Sequence, residues 1–253
     1  MPFGIGIGQV VGLVRETRGL EELRAQITVS GAGATELAAA LAAGGDPTAV
    51  LVDGDPLRAA VAIRLVECEP SAAETAVLRR VSRAGTPLIV VRRGGSGHVP
   101  HVLPDDVLDV DIDADLPIAV LATAIARAAS DSAPALAARL PLLRPAVARR
   151  LITTTSLANA WVAASPWLKQ AHLPLLTFAQ SRMLLQLGRS RGDVLPRDPK
   201  ELVVAAGPVF AASLAMGFGA RALVRRSPVR GPLVGAAVAY AGTRALGAAR
   251  LTL

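Results

Sequence analysis

The 253-residue chain holds one cysteine, Cys68, so no disulfide framework staples it, and a lone thiol fits a reducing compartment. Aromatic residues make up 3%, which leaves few platforms for stacking on single-stranded nucleic acid. Lysine occurs twice, at Lys169 and Lys200, so the earlier part of the chain has no lysine to hold nucleotide phosphates. The first 14 residues lack the basic flank of a secretory signal, and a cytoplasmic chain is expected. Apolar residues, by contrast, are plentiful. At 52% hydrophobic, with a mean hydropathy of +0.45, the chain has enough to bury for one large domain or two small ones. Disorder is thereby excluded as the main state.

Charge separates the chain into halves. Residues 1–130 hold 11 arginines against 16 acids, a net −5, whereas residues 131–253 hold 16 basic residues against 4 acids, a net +12. The polar run Ser130-Asp131-Ser132-Ala133-Pro134 reads as the linker, giving domains over 1–130 and 135–253.

The first half alternates strand and helix patterns, which predicts a doubly wound, mostly parallel α/β sheet. After an apolar-periodic stretch over 9–24, the β-branched Ile27-Thr28-Val29 leads into Gly31-Ala32-Gly33 and an alanine-rich helix. Strands are predicted over 49–52, 61–66, 87–91 and 107–112. Ser71 and Glu74 form a capping box that opens one helix, and Asp115 with Pro117 opens another. The loop Gly31, Gly33, Thr35 sits where backbone amides at a helix N-terminus would cradle a phosphate. With its GTPLIVV strand after a helix, this half resembles the domain of translation-factor-class GTPases. In that family an Asn-Lys-x-Asp follows this strand to read guanine, but Arg92-Arg93-Gly94-Gly95 stands here. Asp53-Gly54-Asp55-Pro56 lies near the family's magnesium-linked Asp-x-x-Gly without its spacing. The resemblance therefore implies a degenerate GTPase-like scaffold, with Gly31, Gly33 and Thr35 as a vestigial phosphate loop.

Other constellations are sparser. Gly4, Gly6 and Gly8 imitate a dinucleotide fingerprint with no strand before them. His98 and His101 lie near Asp105 and Asp106, but Pro100 and Pro104 make the segment a loop, and no metal site is expected. Asp109, Asp111, Asp113 and Asp115 alternate with apolar residues, as in an edge strand kept soluble by charge or an acidic face for the basic half. No serine sits in a nucleophile elbow, so a catalytic triad is not expected.

The second half reads as all helical, over 135–165, 178–187, 199–224 and 232–250. Residues 202–220 and 231–243 are uncharged, the first run being long enough to span a bilayer. Between them stand Arg221, Arg225, Arg226 and Arg230, which a single crossing would export against the positive-inside rule. A buried hairpin, an interfacial helix and a span all stay open. Gly235, Ala239, Thr243 and Gly247 make a small-residue face for close packing. Thr177 and Gln180 form a second capping box. The Asn159 helix, the Leu-Thr-x-x-Gln helix from 176 to 180 and the closing Thr243-Arg-Ala-Leu-Gly247 together resemble the helical domain of YcjF-like proteins, over about 151–250. Members of that family commonly follow a GTPase or degenerate GTPase domain and several associate with membranes; the resemblance implies no catalytic residue.

These readings converge on a non-enzymatic two-domain cytoplasmic protein, with no cofactor, either free or held peripherally or integrally at the inner face of the cytoplasmic membrane. Arg149, Arg150, Arg221, Arg225, Arg226 and Arg230 are expected to contact anionic lipid or a protein partner. The alternative is a divergent GTPase using residues 31–35, with arginine in place of lysine. A nucleic-acid accessory role stands third, because no helix-turn-helix or RRM signature is present. No motif fixes an oligomeric state.

Overall fold

The computed structural model describes residues 25–112, 114–165, 172–193 and 231–252, and these divide into two compact units between Val147 and Ala148. The first contains β1 (Ile27–Ser30), α1 (Ala34–Ala42), β2 (Val50–Val52), β3 (Val61–Glu67), α2 (Ala72–Arg83), β4 (Leu88–Arg93), β5 (Val107–Val110), α3 (Ile118–Ala128) and α4 (Ala133–Arg139). The five strands form one all-parallel sheet in the order β2-β1-β3-β4-β5. Successive residues of a strand point to opposite faces, and Val61, Ala62 and Ile63 are all buried, as are Leu88, Ile89, Val90 and Val91. Both faces of the central strands are therefore covered, as an all-parallel sheet requires. Leu78 and Val81 of α2 pack on one face with Ala62, Val66 and Val90.

Local chemistry explains the helix ends. The Ser71 hydroxyl accepts from the Glu74 amide at 3.2 Å and the Glu74 carboxylate accepts from the Ser71 amide at 2.9 Å, closing the expected capping box. Burial works to raise the Glu74 pKa, but these bonds and the nearby Arg64 guanidinium hold it below the ordinary carboxylate value. Asp115 does not cap α3. Pro117 occupies that position, and its fixed φ suits a helix start without a side-chain cap.

The run expected to be a linker is structured. Residues Ser130–Ser132 form a 3-10 turn that leads straight into α4, where Ala133, Pro134, Ala135, Leu136 and Ala137 are buried. Arg139 ends α4 and clasps the start of the sheet. Its Nη2 donates to Asp46 Oδ2 at 2.8 Å and to Thr48 Oγ1 at 2.7 Å, and its Nη1 donates to the carbonyl of Ala25 at 2.7 Å. Bonds from the Thr48 hydroxyl and from Arg139, with the Thr48 amide, lower the Asp46 pKa from 3.8 to about 2.

The described residues of the second unit are helical. Helix α5 (Arg144–Ala164) carries the boundary, and α6 (His172–Arg191) and α7 (Gly231–Thr252) follow. The expected helix over 178–187 starts earlier, because Pro174 falls within a first turn, where its missing amide costs nothing. Thr177 and Gln180 are thus mid-helix and cap nothing. Instead Gln180 Nε2 donates to Thr243 Oγ1 at 3.0 Å, and Asn159 Nδ2 donates to the same oxygen at 2.9 Å. All three side chains are buried, so one hydroxyl ties α5, α6 and α7 together. One turn along α7, an added Cβ on Gly247 would lie 2.5 Å from Ile152 Cγ1, so glycine permits this helix contact. Ala148, Ile152, Met183 and Leu187 form the apolar core beside it. At the far end Gly192, at φ +88°, closes α6 with bonds from Gly192 N to Arg189 O and from Asp193 N to Gly188 O, a Schellman motif. Arg191 then donates to the carbonyls of Arg250 and Leu251, and Arg250 pairs with Asp193 at 2.5 Å.

No described helix is long and apolar enough to cross a membrane. The expected helices over 9–24 and 199–224, with the uncharged run 202–220, lie outside the described residues.

Two expectations follow. Because the folded Asp46 pKa lies below its free value, its stabilising contribution is complete above pH 4 and fades as pH falls toward about 2. Asp46→Asn should therefore lower the melting temperature at neutral pH, with the gap to the parent closing in acid; a gap independent of pH would contradict the clasp. Thr243→Val keeps the volume but orphans two buried amide donors, at an expected cost of roughly 2–4 kcal/mol in denaturant unfolding. Adding Asn159→Leu and Gln180→Leu should restore much of that loss.

Candidate functional site

In an open parallel sheet, ligands bind beyond the carboxyl ends of the strands where the strand order reverses, which here is between β1 and β3. The loop from β1 to α1 lies at that point. Gly31, at φ +105°, approaches β3 so closely that an added Cβ would stand 2.1 Å from the Leu65 carbonyl oxygen. Gly33 is the N-cap of α1 in the left-handed region, and an added Cβ there would meet only Leu65 Cδ2, at an ordinary van der Waals distance of 4.0 Å. Thr35 is exposed at the start of α1, and the residue before it, where a phosphate loop carries lysine, is the buried Ala34. Glu36 follows, an exposed carboxylate in the first turn. It stabilises the positive end of the helix and repels any anion brought there.

The loop after β4 is closed by its own side chains. Arg92 is 1% exposed, yet it reaches Asp109 Oδ1 at 2.7 Å through Nε and Nη2, and Nη2 also donates to the Gly97 carbonyl at 3.1 Å. The Asp109 contact raises the Arg92 pKa against its desolvation. Gly95 is required here, since an added Cβ would lie 2.5 Å from the Cys68 carbonyl and 2.6 Å from Arg92 Cδ. Asp109, one of the alternating aspartates and a residue of the edge strand β5, thus neutralises the buried guanidinium of Arg92 on β4. Asp111 lies just past the end of that strand and Asp113 is outside the described residues.

His101 Nε2 accepts from Arg79 Nε at 3.2 Å, and among the described residues no group of three or more His, Cys, Asp or Glu side chains is placed to share a metal ion. Asp55 Oδ1 caps a turn by accepting from the Leu57 amide at 3.1 Å.

The basic residues divide differently. Arg144, grouped by sequence with Arg149 and Arg150, turns back to donate to the carbonyls of Ala137 and Ala138 at the end of α4. Arg149 is exposed and Arg150 is half-buried on α5. Arg221, Arg225, Arg226 and Arg230 lie outside the described residues. What composition and spacing did not disclose is a set of exposed apolar side chains on the helical unit, led by Trp161 and Leu233.

No protein-family model, curated protein or solved structure matches the chain.

The two loop glycines should respond unequally to alanine. Gly31→Ala meets both positive φ and a backbone clash and should cost at least about 2 kcal/mol, whereas Gly33→Ala meets strain alone, about 1 kcal/mol. Equal costs in denaturant unfolding would show that the loop after β1 does not lie on Leu65 of β3 as described.

Proposed function

We propose that this chain is a non-enzymatic protein in which a GTPase-like α/β unit without nucleotide chemistry is coupled to a basic all-helical unit, similar to the helical domain of YcjF-like proteins, that engages a membrane surface or protein partner. The observation that carries the reading is the first turn of α1. There Ala34 precedes Thr35 and the exposed Glu36 faces outward, so the loop at the switch point offers a carboxylate where phosphate binding needs a cation. The loop after β4 supports it from the other side, since its guanidinium is spent on Asp109 and Gly97. A scaffold of this kind serves to position its partner unit, and the inner face of the cytoplasmic membrane is where the basic unit would act.

Isothermal titration of the full chain with GTP or ATP and magnesium should give no binding heat up to millimolar nucleotide. Tight, magnesium-dependent binding would overturn the proposal in favour of a divergent GTPase that uses residues 31–35. Binding of nucleic acid that weakens steeply with salt would favour the accessory role.

A further inference from the structure

The sheet ends on β5, and among the described residues no strand pairs with its outer edge. The Val110 carbonyl accepts from the Gly94 amide, so Val110 and Leu108 direct their backbone groups at β4. The N–H and C=O of one strand residue face the same side, and successive residues alternate, so Val107 and Asp109 point outward. Val107 spends its N–H on the Pro104 carbonyl. The Val107 C=O and both backbone groups of Asp109 are paired with nothing among the described residues. Side chains sort along the same strand. Val107 packs with the cluster beneath α2, and Asp109 reaches Arg92 on that face, so Leu108 and Val110 lie on the opposite one.

Apolar side chains flank this edge. Helix α3 returns along β5, since it begins after the strand and Arg127, near its end, donates to Asp106 Oδ1 at 2.8 Å and to the Asp105 carbonyl, both of which precede the strand. Val120 lies two turns from Arg127 on the same stripe of α3, which places it beside β5, and it is 53% exposed. Leu103, before the strand, is 70% exposed, and Ile112, beyond it, is 64%. Charge alone keeps an edge strand soluble, but it does not call for three exposed apolar side chains along that edge. The charge names the occupant. Asp106 pairs with Arg127 and Asp109 gives Oδ1 to Arg92, whereas Asp109 Oδ2 accepts no hydrogen bond and the carboxylates of Asp105 and Asp111 meet no cation among the described residues. A second copy would set its own aspartates against these, and like charges facing each other across strands are destabilising. An extended basic segment fits instead: its backbone completes the ladder, its cationic side chains lie beside Asp109, and the apolar ones between them lie beside Leu108 and Val120.

We infer that the open edge of β5 takes up an extended segment of a partner protein in which basic and apolar residues alternate. This goes beyond the proposed function, since it places a protein contact on the α/β unit and not on the basic helical one.

The test is fluorescence anisotropy of a labelled hexapeptide of alternating arginine and valine, titrated with the full chain. The peptide should bind, and Asp105→Lys/Asp111→Lys should weaken it at least about tenfold. Both positions are exposed, so thermal melting of that variant should match the parent. N-methylation of the arginine amides in one peptide and of the valine amides in another leaves the charge unchanged; one of the two should lose binding and the other keep it, because a single edge of the added strand faces β5. Equal binding of the two methylated peptides, or undiminished binding to the lysine variant, would overturn strand addition, as would no binding at millimolar peptide. Self-association of the parent in sedimentation, dissolved by the hexapeptide, would assign the edge to a second copy and overturn the inference as well.

Discussion

One hydroxyl sets the register of the helical unit. Thr243 Oγ1 accepts from both Asn159 and Gln180, which uses its two lone pairs and fixes the height at which three helices cross. Helices as rich in alanine and glycine as α7 present little relief to lock against, so apolar contact alone would tolerate slippage along the axis. The buried amides do not. A shift by one turn would leave two donors without an acceptor, each costing about 1–3 kcal/mol. Gly247 against Ile152 and Arg191 against the end of α7 are consistent with that single register.

The α/β unit is organised by close backbone approach instead. Gly31 lets the β1 loop lie on Leu65, Gly45 leaves room for the Arg139 carbonyl, and Gly95 leaves room for Cys68 and Arg92. Arg139 then ties α4 to the loop before β2, across 93 residues of sequence from Asp46. The Gly31 and Gly95 contacts fill the regions beyond the carboxyl ends of β1, β3 and β4 with the protein's own groups, whereas the Arg139 clasp closes the amino ends of β1 and β2. In the loop after β1, Gly31 serves close approach to β3 and the first helical turn carries a carboxylate, and the arginine that ends β4 is already neutralised by Asp109.

What could be read from sequence was whatever depends on near neighbours. The Ser71–Glu74 box, the apolar run through Val91 and the glycine loop after Ile27-Thr28-Val29 are all signalled within a few residues, and the parallel α/β arrangement followed from their alternation. The misreadings share a cause. Thr177 and Gln180 have capping-box spacing, yet a helix that begins at His172 makes the same spacing a buried face that meets α7. Ser130 to Pro134 has the composition of a linker, but alanine carries no pattern that distinguishes an exposed turn from the buried start of α4. Nothing close to Arg92 in sequence signals its burial, because Asp109 lies 17 residues away, and Asn159 and Thr243 are 84 apart. Partners at that separation are supplied by topology, which periodicity does not encode.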